Sequence, residues 1–317
     1  MKSKKREIKK RIQFTVSDNQ TALIKKEKNV NKRKEIRMTP PVHVELLSRI
    51  DIRLGKIKKE VDILNNNDTF QLLIDKLVTG NPFSFLRFGD ADYMMMNNKS
   101  IGKTIGASNK MVITPEFNTE IIESHSINDP DYIIGTVLYP DLNNKLYDYN
   151  PFLVRMYKEF LRYNISYSNL VSAVALTETY ISDIELFSRL ILLLKMSRTM
   201  FVGSYYNEVL DDMYGEIVVR INTPKQNSYS EVDRIFDEVL QNIDSVDKVI
   251  FSCGQTSRII IKRLWKLGIK KTMIDVGSLS DYFVLNTELG TQIQLRGHIV
   301  KNDELIKNNF EKLKQIT

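Results

Sequence analysis

Two carboxylates stand two residues apart in the run Arg87-Phe88-Gly89-Asp90-Ala91-Asp92. The apolar stretch 83–88 before them reads as a β-strand, so both acids fall at its carboxyl end. Two oxygen anions so placed can share a Mg²⁺ or Mn²⁺ whose other ligands are water and phosphate. Such a metal would neutralise a diphosphate leaving group. Arg87 interrupts an otherwise apolar strand one residue before the turn, where it can orient the carboxylates or meet phosphate. Gly and Asp are also ordinary residues of a turn, so the pair alone names no reaction.

A second constellation follows the apolar run 248–253, which leads into Gly254-Gln255-Thr256-Ser257. Gly254 lets the backbone approach a ligand. Thr256 or Ser257 can cap the helix that follows, and a helix N-terminus attracts anions. The turn has neither the Gly-Lys-Ser/Thr ending of a Walker A loop nor the G-x-G-x-x-G spacing. Cys253 has no His near it in sequence and reads as a small core residue. In the run 272–276, Asp275 is an acid inside an apolar strand. Buried acids are uncommon unless paired or functional, so Asp275 is expected to hold a ribose or the acceptor hydroxyl, or to act as a base.

The elements that must position these residues alternate. Short apolar runs at 83–88, 132–137, 199–203, 217–221, 248–253 and 272–276 read as strands. Helical patterns at 115–124, 151–163, 181–196, 230–242 and 257–267 lie between them. That alternation predicts an α/β, Rossmann-like, doubly wound and mostly parallel sheet in a single catalytic domain, with ligands outside the carboxyl ends of its strands. The domain is expected over 69–300, with a C-terminal helix over 301–317. An N-terminal helical extension over 41–68 carries Leu47, Ile50, Leu54, Ile57, Val61 and Leu64 at spacings of three and four. This short heptad seam, interrupted by Gly55, either forms a coiled-coil homodimer or packs on the domain.

Charge is unevenly spread. Residues 1–37 hold 14 Lys and Arg against 4 Asp and Glu; the overall +7 less this +10 leaves −3 on the rest. Residues 1–40 form a basic tail that is either a solvated, disordered segment or an arm for nucleic acid or an anionic membrane surface. With one cysteine and three scattered histidines, the 317 residues hold no internal disulfide and no Cys-based zinc site. The charged N-terminus has no apolar stretch of a secretory signal, and the most apolar run, 190–194, is too short to span a bilayer. The expected location is cytoplasmic, free or peripheral at a membrane.

Taken together, the Arg87–Asp92 run resembles the Arg-x-Gly-Asp-Gly-Glu signature of GT-D-fold glycosyltransferases. The segment Pro224-Lys225-Gln226-Asn227-Ser228-Tyr229 is similar to that family's Asn-aromatic segment opening a helix. Gly254-Gln255-Thr256, Gly268 and Ile274-Asp275-Val276-Gly277 look like its closing strand–helix–strand unit. The resemblance covers roughly residues 70–290. It implies metal-dependent transfer of a sugar from a nucleotide-sugar, a UDP-sugar, to a glycan or glycoprotein acceptor. Asp90 and Asp92 would hold Mn²⁺ or Mg²⁺ and the diphosphate. Arg87, Gly89, Asn227, Gly254, Gln255 and Thr256 would bind the nucleotide. Asp92 stands where the family has Glu, Ala91 where it has Gly, and Ser278 where it often has His. The alternative is a non-catalytic nucleotide- or partner-binding protein of the same fold, tethered by its basic tail.

Overall fold

In the computed structural model, which describes residues 64–105, 110–136, 170–288, 294–295, 298–299 and 304–316, successive strand residues alternate between two cores. The chain runs through α1 (Asn66–Thr79), β1 (Ser84–Phe88), α2 (Asp90–Met95), β2 (Thr104–Ile105), β3 (Met111–Val112), α3 (Pro115–Ser124), β4 (Tyr132–Thr136) and β5 (Leu170–Ser172). It continues through α4 (Ala175–Ser182), α5 (Ile184–Lys195), β6 (Thr199–Gly203), α6 (Val209–Tyr214), β7 (Ile217–Asn222), α7 (Val232–Asn242), β8 (Lys248–Ser252) and α8 (Thr256–Lys266). The last elements are β9 (Thr272–Asp275), α9 (Leu279–Glu288), β10 (Gln294–Leu295), β11 (His298–Ile299) and α10 (Glu304–Ile316).

Seven strands form one parallel sheet in the order β5-β4-β1-β9-β8-β6-β7. Leu86, Phe88, Tyr132, Ile134, Met200, Val202, Val249 and Phe251 face one core, against α3, α7 and α8. Phe85, Ile133, Phe201, Ile250 and Ile274 face the other, against α1, α4, α5, α6, α9 and α10. Helices on both faces explain why the strands read as nearly continuous apolar runs. The doubly wound sheet expected from the sequence is present. Among the described residues no helix is long and apolar enough to cross a membrane.

Local signals set the helix ends. Thr114 caps α3 by accepting from the Phe117 N–H at 3.1 Å, with Pro115 in the first turn. Asp183 caps α5 in the same way, which splits the expected single helix 181–196 in two. Where Thr256 or Ser257 was expected to cap α8, the cap position is Gln255 without a side-chain bond. The Thr256 hydroxyl instead pairs with Ser228 Oγ at 2.7 Å, and Ser257 Oγ lies 3.3 Å from Cys253 Sγ. The expected tail, the heptad seam before residue 64 and the helix 151–163 lie outside the described residues.

His125 ends α3 fully buried, 4.2 Å from the Phe88 ring in an edge contact, with Nε2 3.1 Å from Tyr93 Oη. Burial pushes its pKa down to about 3, so the ring is neutral in the fold. An unfolded His takes up a proton near pH 6.5, so the unfolded state binds more protons between there and pH 3. This group's contribution is therefore whole above pH 6.5 and is lost as pH falls. At pH 5 the loss should be about 2 kcal/mol. Urea unfolding of wild type and His125→Phe at pH 7 and pH 5 checks this. The gap between the two proteins should narrow at pH 5, and a constant gap would contradict the assignment.

Candidate functional site

A cleft of about 440 Å³ opens at the carboxyl edge of the sheet. Its walls are the segments that follow β1, β5, β6, β7, β8 and β9. This is the position at which open α/β sheets bind ligands. Three cations line it: Arg87, Lys225 and Arg258. The N-terminus of α8 sits beside it through Gly254 and Gln255, adding the positive end of a helix dipole.

Arg87 holds the rim together. Its Nε donates to the Ala173 carbonyl at 2.5 Å and its Nη1 to the Val276 carbonyl at 2.6 Å. One side chain on β1 thus ties the chain after β5 to the chain after β9. Gly277 makes this passage: its φ is +56°, and a Cβ built there would lie 2.4 Å from Arg87 Nη1. Across the cleft, Lys225 Nζ lies 4.5 Å from the Tyr205 ring centroid, a cation over an aromatic face.

Of the acidic pair, the structure describes the surroundings of Asp92. Asp90 opens α2, and its side chain lies outside the described residues. Asp92 is 1 % exposed, and its Oδ2 accepts from the Gly89 N–H at 2.7 Å. Asp92 also meets Arg258, with Nε 3.3 Å from Oδ1 and Nη2 3.4 Å from Oδ2. Arg258 is buried too, and its Nη1 reaches Asp275 Oδ2 at 3.1 Å and donates to the Gly254 carbonyl. Asp275 is fully buried, and its Oδ1 accepts from the Gly277 N–H at 3.0 Å. Asp92 and Asp275 therefore clamp one guanidinium between them. Asp275 does not line the cleft, so it faces neither a ribose nor an acceptor hydroxyl there.

Other expected residues divide in the same way. Arg87, Gly89, Asn227, Gly254 and Gln255 line the cleft, whereas Thr256 is fully buried behind it. Asn227 adopts a left-handed conformation, and its Oδ1 accepts from the Val112 N–H at 3.0 Å, which ties β3 to the cleft wall. Cys253 is buried, and burial pushes its thiol up to about 12, the behaviour of an inert core cysteine.

Two residues escaped the sequence reading. Arg258 lies on an amphipathic helix where a cation looks like solvent-facing charge. Asp281, in the first turn of α9, lines the cleft beside Ser252 and Ser278. Ser252 Oγ lies 3.3 Å from Asp281 Oδ1, and burial raises the Asp281 pKa to about 6. The one available signal was an acid six residues beyond Asp275, just past a strand end.

The family model described as a GT-D fold-like domain matches residues 64–283, more than half of the chain. The chain belongs to the GT-D fold-like family. A search of curated proteins finds no match. Among solved structures, the chain is similar to a new glycosyltransferase (DUF1792) from Streptococcus sanguinis, with TM-score 0.52 and 18% identity over 78% of this chain and 97% of that one. It is equally similar to the highly conserved domain of unknown function 1792 described as having a distinct glycosyltransferase fold, at TM-score 0.52 and 18% identity over 81% and 97%. At that identity the likeness is one of fold. The GT-D assignment agrees with the parallel sheet and with a cleft at its carboxyl edge.

Proposed function

We propose that this GT-D protein is a glycosyltransferase that moves a sugar from a nucleotide-sugar, a UDP-sugar, to a glycan or glycoprotein acceptor. The observation that carries the reading is the cleft itself. Arg87, Lys225 and the N-terminus of α8 converge on one space at the strand ends of a glycosyltransferase fold. A diphosphate carries the charge such a space attracts. Preorganised cations stabilise the charge that grows on a leaving diphosphate, and a site that excludes water strengthens them. Tyr205 offers a half-buried ring at the mouth of the cleft for the apolar face of the base or sugar.

A Mn²⁺ or Mg²⁺ held jointly by Asp90 and Asp92 does not fit the geometry at Asp92. That carboxylate is already ion-paired with Arg258, and a divalent ion there would sit against a guanidinium. No group of three or more metal-ligating His, Cys, Asp or Glu side chains occurs among the described residues. The residues of this chain act instead as fixed groups. Arg87, braced by two carbonyls, orients phosphate. Arg258, held between two carboxylates, fixes the floor of the cleft next to Gly254 and Gln255.

UDP release from a panel of UDP-sugars tests the reading, with Mn²⁺ or EDTA present and UDP binding measured in the same samples. Release from one preferred donor is expected even without acceptor, because a bound donor exposes its anomeric carbon to water. Turnover that persists in EDTA assigns phosphate neutralisation to the protein's own cations. Turnover that disappears assigns it to a metal and points to Asp90. A protein that neither binds UDP nor releases it from any donor would overturn the transferase reading.

A further inference from the structure

Two described carboxylates line the cleft, Asp92 and Asp281. They differ in chemistry. Asp92 is clamped by Arg258 and the Gly89 N–H, so its charge is spent inside the protein. Asp281 has no cation within ion-pair distance among the described residues. Its neighbour is the Ser252 hydroxyl, and that hydroxyl is closer to the Gly277 carbonyl, at 2.8 Å, than to Asp281 Oδ1, at 3.3 Å. The carboxylate is thus left with acceptor capacity facing the cleft.

The groups around Asp281 do not neutralise it. Tyr214 on α6 bonds Ser280 Oγ at 2.9 Å, and burial raises its pKa, so it stays protonated. Cys253 at the end of β8 is a neutral thiol. Asp275 on β9 is turned to Arg258. Arg87 on β1 is the cation of this region, and two carbonyls hold its Nε and Nη1. A carboxylate in such surroundings takes up protons more readily than one in water.

We propose that Asp281 is the catalytic base of the transfer, taking the proton of the acceptor hydroxyl. The role rests on the glycosyl-transfer reading above. As the acceptor oxygen attacks, its O–H bond breaks and the proton passes to an Asp281 Oδ. The bond from that oxygen to the anomeric carbon forms. The bond from the anomeric carbon to the diphosphate oxygen breaks, and its electron pair leaves with the nucleoside diphosphate. Asp281 then returns its proton to solvent. An enzymic base serving one direct displacement inverts the anomeric configuration. A pKa near 6 suits the task, since the group is ionised at neutral pH and is a stronger base than an ordinary carboxylate.

Water can replace the acceptor, so slow hydrolysis of UDP-glucose, UDP-galactose and UDP-N-acetylglucosamine reads the base directly. Wild type, Asp281→Asn and Asp281→Glu are compared from pH 5 to pH 8, with UDP affinity and melting temperature measured for each. Wild-type release should rise with pH through an apparent pKa of about 6. Asp281→Asn should release UDP about 10²- to 10⁴-fold more slowly, with no such rise. Its UDP affinity and melting should stay at wild-type values, and the sugar first formed by wild type should be inverted. Asp281→Glu should keep the pH-dependent rise at a reduced rate. A base at Asp281 is overturned if Asp281→Asn hydrolyses normally, if it loses UDP affinity in step with rate, or if the first-formed sugar is retained. It is also overturned if wild type binds UDP yet never releases it from a donor, because a base beside the donor would activate water. A wild type that binds no UDP fails the transferase reading instead.

Discussion

Replacing Arg258 with Met should cost about 3–5 kcal/mol of folding free energy, one of the two largest effects expected for this chain. The Arg258 side chain is 9 % exposed and its guanidinium sits between Asp92 and Asp275, whose side chains are 2 % and 0 % exposed. Removing it leaves two carboxylates buried without their cation. The pair itself need not stabilise the fold greatly, because taking three charges out of water costs nearly as much as their attraction returns. The penalty comes from orphaning the partners. Adding Asp92→Asn and Asp275→Asn to the Met variant should therefore recover much of the loss. Urea midpoints of the single and triple variants decide between the two accounts. A triple variant no more stable than the single one would show that Arg258 acts through packing alone.

The second large effect is on activity. Gly277→Ala should lower the rate of UDP release by about 10²-fold while the fold persists. A methyl group there would need the space of Arg87 Nη1, 2.4 Å away, and would sit on a backbone with φ +56°. The left-handed backbone costs roughly 1 kcal/mol for a residue with a Cβ. The displaced guanidinium loses its bond to the Val276 carbonyl, and with it the alignment of the cleft rim. The measurement pairs a thermal melt with the hydrolysis rate. A modest drop in melting with a large drop in rate is the expected pattern. Equal, small changes in both would mean that Arg87 does not orient the donor.

Asp281→Asn and Gly277→Ala probe different steps. The first leaves the donor site intact and removes a proton acceptor, so nucleotide affinity should hold. The second distorts the rim, so affinity and rate should fall together. Comparing the two separates chemistry from positioning.

Much of this architecture was legible in the sequence. A parallel strand buried on both faces is a short apolar run, and its neighbours' helices carry a 3.6-residue stripe, so the order and direction of most elements could be read locally. The helix Pro115–Ser124 and the strand Thr199–Gly203 match their expected bounds, because Thr114-Pro115 and the Gly203 turn mark them. The three-residue β5 has no room for a periodic signal, and it forms a strand only by pairing with β4. Short helices such as α2 and α6 likewise lack two turns of pattern.

The site was legible in outline. Strand ends at 89, 254 and 277 do surround one cleft, as the rule for open α/β sheets requires. What each acid does there was not. Asp92 lies 166 residues from Arg258 in the chain, and Asp281 acquires its surroundings from β8 and the turn after β9. A residue's type and the turn it occupies are local properties, and the sequence determines them. Whether a carboxylate is neutralised or left able to take a proton depends on which distant charge the fold brings within about 4 Å, where a buried ion pair is strongest. Only the tertiary structure decides that.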